Sequence, residues 1–141
     1  MAMLEINHLQ KKFGTTEVLR DVSLSVSKGD VVAILGPSGS GKTTLLNILA
    51  ALDRPTSGTV LLDGKDISAI RENQLAAFRR DQLGFVFQDF NLLDTFSLKD
   101  NILLPLVLQG MNWREMEANL LPIANQLRIA NLLEKYPYEV S

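Results

Sequence analysis

Residues 36–43 read Gly36-Pro37-Ser38-Gly39-Ser40-Gly41-Lys42-Thr43, a complete loop of the G-x-x-x-x-G-K-[ST] form. Each fixed position has a chemical duty toward a nucleoside triphosphate. Glycines let the backbone curl so that successive N–H groups point inward at phosphate oxygens. The lysine bridges β- and γ-phosphate oxygens, and the hydroxyl that follows it is a Mg²⁺ ligand. A helix beginning there adds the positive end of its dipole to the same anion. The flanks agree with this reading. Val31-Val32-Ala33-Ile34-Leu35 is an apolar, β-branched-rich run suited to a buried parallel strand, and Thr44 to Leu52 is apolar nearly all round, as a buried helix is. Strand, loop and helix stand in the required order, which separates this stretch from a plain Gly/Ser turn.

Composition narrows the remaining possibilities. At 141 residues, 46% hydrophobic and 21% charged, the chain has the make-up of one soluble globular domain with a real core. A net charge of −2 with no long basic run argues against nucleic acid or anionic lipid as the main partner. The absence of cysteine excludes disulfides, thiol catalysis and cysteine-bound metals. Met1 to Lys12 has no apolar core of the signal-peptide kind, and Asn101 to Trp113 is too short to span a bilayer. The chain is read as cytosolic, with room to sit against a membrane protein.

Outward from the loop, Leu4 to Asn7 and Val22 to Ser27 alternate as half-buried antiparallel strands do. Thr59 to Leu62 reads as another strand, closed by Asp63-Gly64, and Leu83 to Phe87 as a second core strand leading to Gln88. Ser68 to Arg80 is expected to be helical. Beyond Ser97 the pattern is helical throughout: Asn112 and Glu115 resemble a capping box, and Met116, Leu120, Ile123 and Leu127 recur at helix spacing. A short helix is expected around Ile129 to Leu133.

Taken together, KKFG (11–14), VLRDVSLSV (18–26), GPSGSGKTTLLN (36–47), LDRPTSG (52–58), LDGKDI (62–67), GFVFQDFNLL (84–93) and YPYEVS (136–141) resemble an ATP-binding-cassette ATPase, the nucleotide-binding domain of ABC transporters. The resemblance covers essentially the whole chain. The stretch from Phe85 to Gly110 is most similar to the branch serving lipoprotein release, macrolide efflux and bacitracin-type peptide export. The fold so implied is an α/β P-loop NTPase of ABC type, one incomplete domain over residues 1–141. Within it, residues 1–30 would be an antiparallel β subdomain, 31–88 a portion of the P-loop α/β core, and 89–141 the glutamine loop and helical subdomain.

The same resemblance implies roles for individual residues. Gly36, Ser38, Gly39, Ser40, Gly41, Lys42, Thr43 and Thr44 would hold ATP, with Thr44 on the α-phosphate. Thr43 and Gln88 would be the Mg²⁺ ligands, and Gln88 and Lys42 the catalytic pair, Gln88 by placing the metal and the attacking water. Phe13 matches the aromatic that stacks on adenine, a contact made by the ring face and therefore tolerant of Phe; plain packing in the β subdomain is its competing reading. His8 matches no functional histidine and is read as a strand residue. The implied partners are a transmembrane permease and a second ATP-binding subunit in head-to-tail array, with no nucleic acid. The implied location is cytoplasmic, peripheral on the inner face of the cell membrane.

The sequence departs from the family pattern at its end, where Val140-Ser141 falls at the start of the signature motif. The acidic strand end that places Mg²⁺, the catalytic glutamate and the switch histidine would all lie beyond it. Val60-Leu61-Leu62-Asp63 imitates an acidic strand end, but Gly64 follows rather than Glu. Residues 1–141 alone are accordingly expected to be a poor independent monomer, to bind nucleotide weakly and not to turn it over. Two readings follow for the molecule as a whole: an ATPase motor of an export permease, or a module that holds ATP without hydrolysing it. A soluble non-transport member of the same family is a third. A nucleoside kinase or GTPase fits poorly, since the Asn-Lys-x-Asp guanine motif is missing.

Overall fold

The computed structural model describes residues 2–141, which divide between Phe85 and Val86 into two compact units. In the first unit the alternating segments extend further than their periodicity suggests. Strands β1 (Ala2–Phe13) and β2 (Thr16–Ser27) form a long hairpin about Gly14 and Thr15. β3 (Ser57–Leu62) pairs antiparallel with the other edge of β1, and the short β4 (Lys65–Asp66) pairs with β3 across the Asp63-Gly64 turn. The resulting sheet has the order β2-β1-β3-β4.

Helix α1 (Lys42–Leu49) packs on this sheet. Its Leu45 and Ile48, one turn apart, are buried with Ile6, Leu9, Leu19, Val60 and Ile67. Burying each such side chain fully contributes roughly 1.5–3 kcal/mol, so this cluster is the main stabilising feature of the unit. A single 3-10 turn at Ile67–Ala69 leads into α2 (Glu72–Gln82), whose Leu75 is also buried. Two arginines tie α2 to the end of α1. Arg79 donates to the Ala51 carbonyl at 2.8 Å, and Arg54 donates to the carbonyls of Ser68 and Ile70 at 2.9 and 3.0 Å.

The expected core strands are the main point of difference. Neither Val31–Leu35 nor Leu83–Phe87 is a strand, and Val31 and Leu35 are 99% and 90% exposed. A strand exists only as one side of a hydrogen-bonded ladder. Among the described residues every strand of the sheet is paired antiparallel within β1 to β4, which leaves no ladder for a parallel core strand.

The second unit is helical, with α3 (Leu98–Leu108), α4 (Trp113–Gln126) and single 3-10 turns at Ala130–Leu132 and Pro137–Glu139. Both α3 and α4 start on side-chain caps: Ser97 Oγ accepts from the Asp100 N–H, and Asn112 Oδ1 accepts from the Glu115 N–H, as the Asn112–Glu115 spacing suggests. The buried face of α4 is Met116, Leu120 and Ala124, which meet Leu103 and Leu133. Ile123 and Leu127 are more than half exposed, so the helix turns Ala124 rather than these two toward its core. Lys99 joins α3 to α4 by donating to Glu117 Oε1 at 2.7 Å, with its ammonium 4.6 Å from the Trp113 ring centroid. The hydrogen bond to Glu117, outweighing partial desolvation, holds the Lys99 ammonium above its ordinary range.

The backbone approaches closely at Gly58, where β3 crosses the bulge of β1. Gly58 has φ +87°, and an added Cβ would press into the carbonyl oxygens of Asn7 and His8. Gly58→Ala is therefore expected to destabilise the protein by more than about 1 kcal/mol. Urea unfolding followed by far-UV circular dichroism measures this, and an unchanged midpoint would contradict the close approach.

Candidate functional site

The loop from Gly36 to Thr43 is built around a left-handed turn at Gly41, which is the N-cap of α1 with φ 92°. A side chain there would meet Leu19 Cδ2 at 2.9 Å and the Val18 carbonyl at 3.0 Å, so glycine is required both for the dihedral and for the packing on β2. Upstream, Ser40 donates its N–H to the Pro37 carbonyl at 3.2 Å, which closes the turn of the loop. The first helical bond runs from Leu45 N–H to the Gly41 carbonyl at 2.9 Å, and no side chain caps the N–H groups before it. These uncapped donors, with the positive end of the helix dipole, form an anion-binding arrangement.

Lys42 occupies the centre of this arrangement. Its ammonium donates to the Gly36 and Pro37 carbonyls at 2.7 Å each and reaches Ser40 Oγ at 3.4 Å. The cation thus holds the two ends of the loop together, and its loosest donor is the one most easily given to an incoming anion. Thr43 is exposed and Thr44 half-buried on the first turn of α1; Ser38, Gly39 and Ser40 are exposed along the loop. All the predicted phosphate ligands therefore lie on one continuous turn of chain.

The residues present suit a polyphosphate bound with Mg²⁺. A hydroxyl at a helix N-terminus is a hard oxygen ligand, and Mg²⁺ is held typically by phosphate, water and few protein groups. Among the described residues there is no cluster of three or more His, Asp or Glu side chains that could hold a metal on their own. A cation here would be held jointly with phosphate oxygens, as the donor set suggests. Asp63 lies in the β3–β4 turn with φ 47°, a hairpin position rather than the end of a core strand.

Phe13 closes β1 in the same unit and is 52% exposed. The Lys11 ammonium stands 4.8 Å from its ring centroid, while donating to Asp53 Oδ1 and the Arg54 carbonyl at 2.7 Å each. Sequence reasoning missed both Lys11 and Asp53, because only the sheet register brings residue 11 beside residue 53. Gln88 belongs to the second unit, where it is exposed in irregular chain ahead of α3. His8 is a strand residue at the β1 bulge, paired with Asp21 at 2.6 Å.

The stretch after Gln88 is organised by Asn101, another residue whose role the sequence did not single out. Its Oδ1 accepts from the Leu93 N–H at 2.8 Å, and its Nδ2 donates to the carbonyls of Leu93, Phe96 and Ser97. In the same unit a groove of about 380 Å³ is lined by Phe90, Leu92, Asp94, Tyr138 and Val140 among others. Phe90 is 84% exposed and Tyr138 75% exposed.

The Lys11–Asp53 pair makes the stability of the first unit pH-dependent. Partial burial pushes the Asp53 carboxyl up, but the Lys11 hydrogen bond, the Arg54 N–H and the Lys11 charge outweigh it and hold the group below its ordinary value. With the folded value depressed, the unfolded chain takes up the proton first on acidification. The contribution is complete above about pH 5 and is lost as pH falls below about 4. Asp53 is 34% exposed, and solvent screening keeps the effect under about 1 kcal/mol. Urea unfolding at several pH values should show Asp53→Asn less stable than the parent at pH 7, with the gap narrowing toward pH 3; a constant gap would rule the pair out as its source.

Comparison with known proteins places these features in a family. The ABC transporter family model matches residues 19–141. An uncharacterized ABC transporter ATP-binding protein, YvcR of Bacillus subtilis, is 50% identical over 100% of this chain and 57% of its own length. A bacitracin export ATP-binding protein of Halalkalibacterium halodurans is 41% identical, again over 100% of this chain and 57% of its own length. Proteins named for macrolide export and lipoprotein release match as well. Among solved structures, the dimeric structure of a bacterial ABC transporter cassette superposes with a TM-score of 0.88 at 33% identity, over 99% of this chain and 63% of that one. The fold is thus the ABC-type P-loop nucleotide-binding fold, with an antiparallel sheet and a helical subdomain. The chain spans little more than half the length of the curated relatives YvcR and the bacitracin exporter.

Proposed function

The chain belongs to the ABC transporter family, and from that premise we propose that it is the ATP- and Mg²⁺-binding part of an ATPase subunit whose full-length protein hydrolyses ATP to drive an export permease. The observation that carries this reading is the loop Gly36–Thr43, which turns at Gly41 into an uncapped helix with Lys42 at its centre. In this reading the backbone N–H groups from Gly39 to Thr44 bind the phosphates, and Lys42 bridges the β- and γ-phosphates. Thr43 is a metal ligand, and Thr44 hydrogen-bonds the α-phosphate. The bound Mg²⁺ neutralises charge on the phosphates. Phe13 stacks on the base. Gln88 is assigned to the metal and the attacking water because it matches the family's glutamine.

The same premise suggests assembly with a second ATP-binding subunit head to tail and with a membrane-embedded permease, at the cytoplasmic face of the membrane. The dimeric state of the solved relative supports the first partner. Among the described residues no helix is long and apolar enough to cross a membrane. The stretch 85–110 and the export names of several relatives favour the branch that moves antimicrobial peptides, macrolides or lipoproteins.

Two outcomes test this reading in the full-length protein that carries the chain. Lys42→Ala removes a charge-assisted contact worth about 1.5–3 kcal/mol, so ATP affinity should drop by about ten- to a hundredfold. Titration with a fluorescent ATP analogue measures it, and unaltered affinity would sink the assignment of the loop. The exposed Phe90 beside Asp89 makes the region around Gln88 the proposed permease contact. A photocrosslinker at residue 89 or 90 should capture the cognate permease; capture only from positions within 4–27 would move the contact elsewhere.

A further inference from the structure

The residues of the phosphate loop do not account for Lys11, a firmly anchored cation of the first unit. Its side chain is only 12% exposed, and its ammonium makes two 2.7 Å bonds, to Asp53 Oδ1 and to the Arg54 carbonyl. Those acceptors belong to the segment that follows α1, the helix that begins in the phosphate loop. The same ammonium lies over the ring of Phe13 at 4.8 Å. Neighbouring Lys12 is 48% exposed and pairs with Glu17 at 3.8 Å.

We propose that Lys11 is a positioning residue for nucleotide recognition, fixing the Phe13 ring as a stacking platform and joining it to the chain that leaves the phosphate-binding helix. This deepens the reading of Phe13 as the base-stacking residue and rests on it. Three physical effects act together. The cation occupies one face of the ring, which attracts it through the quadrupole. More than half of Phe13 is still exposed, which leaves the opposite face for a flat ligand. Charge drawn toward the ammonium makes that opposite face less negative and a better partner for the electron-rich face of a purine. The bonds to Asp53 and Arg54 prevent the lysine from following the ring, so the ring is held in place instead. The expected ligand part is the base: phosphate affinity depends on the loop alone.

The experiment compares ATP with inorganic triphosphate by calorimetry in the full-length protein that carries this chain. Phe13→Ala should weaken ATP about tenfold or more while leaving triphosphate unaffected. Lys11→Met should weaken ATP about two- to fivefold, again sparing triphosphate, and Lys11→Arg should restore most of the loss. Adding Lys11→Met to Phe13→Ala should cost nothing further, because the cation acts only through the ring. Because Lys11→Met strands the Asp53 carboxylate, the double change Lys11→Met/Asp53→Asn serves in its place if the single variant folds poorly, and retained triphosphate binding reports an intact loop. Should Phe13→Ala discriminate the two ligands while Lys11→Met weakens both equally or neither, Lys11 is a structural residue and the inference fails alone. Should Phe13→Ala itself weaken both ligands equally, the base-stacking reading fails and takes the inference with it.

Discussion

The left-handed turn at Gly41 is the constraint on which the arrangement of the first unit depends. It sits against Leu19 and Val18 of β2 with no room for a Cβ, and it sets where α1 begins. Once that start is fixed, Leu45 and Ile48 fall onto Leu9, Leu19 and Val60, and the core closes. The same turn leaves the first N–H groups of α1 without a cap. One glycine therefore serves packing and the proposed phosphate site together, and the two cannot be altered separately at that position.

The phosphate loop was legible because its chemistry is local: a short run of residues carries both the turn and the ligands, and the order of residues is the site. The cap of α4 was legible for the same reason, since Asn112 and Glu115 are separated by about one turn. Hydrophobic alternation found β1 and β2 but underestimated their length, because polar residues such as Lys11 and Lys12 continue the ladder. It also placed Val31–Leu35 in a core strand, since a run of β-branched residues reports affinity for a buried ladder but not whether a neighbour is there to complete it. Contacts between distant residues were invisible to pattern reading. Lys11 meets Asp53 through the β1–β3 register, and Asn101 meets Leu93 and Phe96 through a loop folded back on a helix start. In α4 the helix was legible from its spacing, and Met116 and Leu120 of that stripe are buried, but a stripe drawn through large residues overlooks a small one such as Ala124 that can approach more closely.

The two units are stabilised in different ways. The first depends on aliphatic packing between a sheet and one short helix. The second has a smaller buried cluster, joined by side-chain ties: Ser97 and Asn112 at helix starts, Lys99 between helices, and Asn101 into the preceding loop. Ties of that kind are worth about 1 kcal/mol each and break singly, whereas the sheet core melts as a whole. A region of the second kind opens more readily in part, which suits a surface proposed to engage a moving partner.

The position of β1 between β2 and β3 has a kinetic consequence. The β1–β2 hairpin is local and closes about a two-residue turn, but β3 reaches β1 only after the chain from Lys28 to Thr56 has been looped out, and the phosphate loop with α1 lies inside that span. Local contacts form early, and distant ones wait on the entropy of closing the loop. Helix α1 needs the hairpin as its docking floor and Val60 of β3 to seal the core. Sequence separation therefore favours the hairpin ahead of closure by β3, and the core that seats the loop and α1 is complete only when that closure has been made.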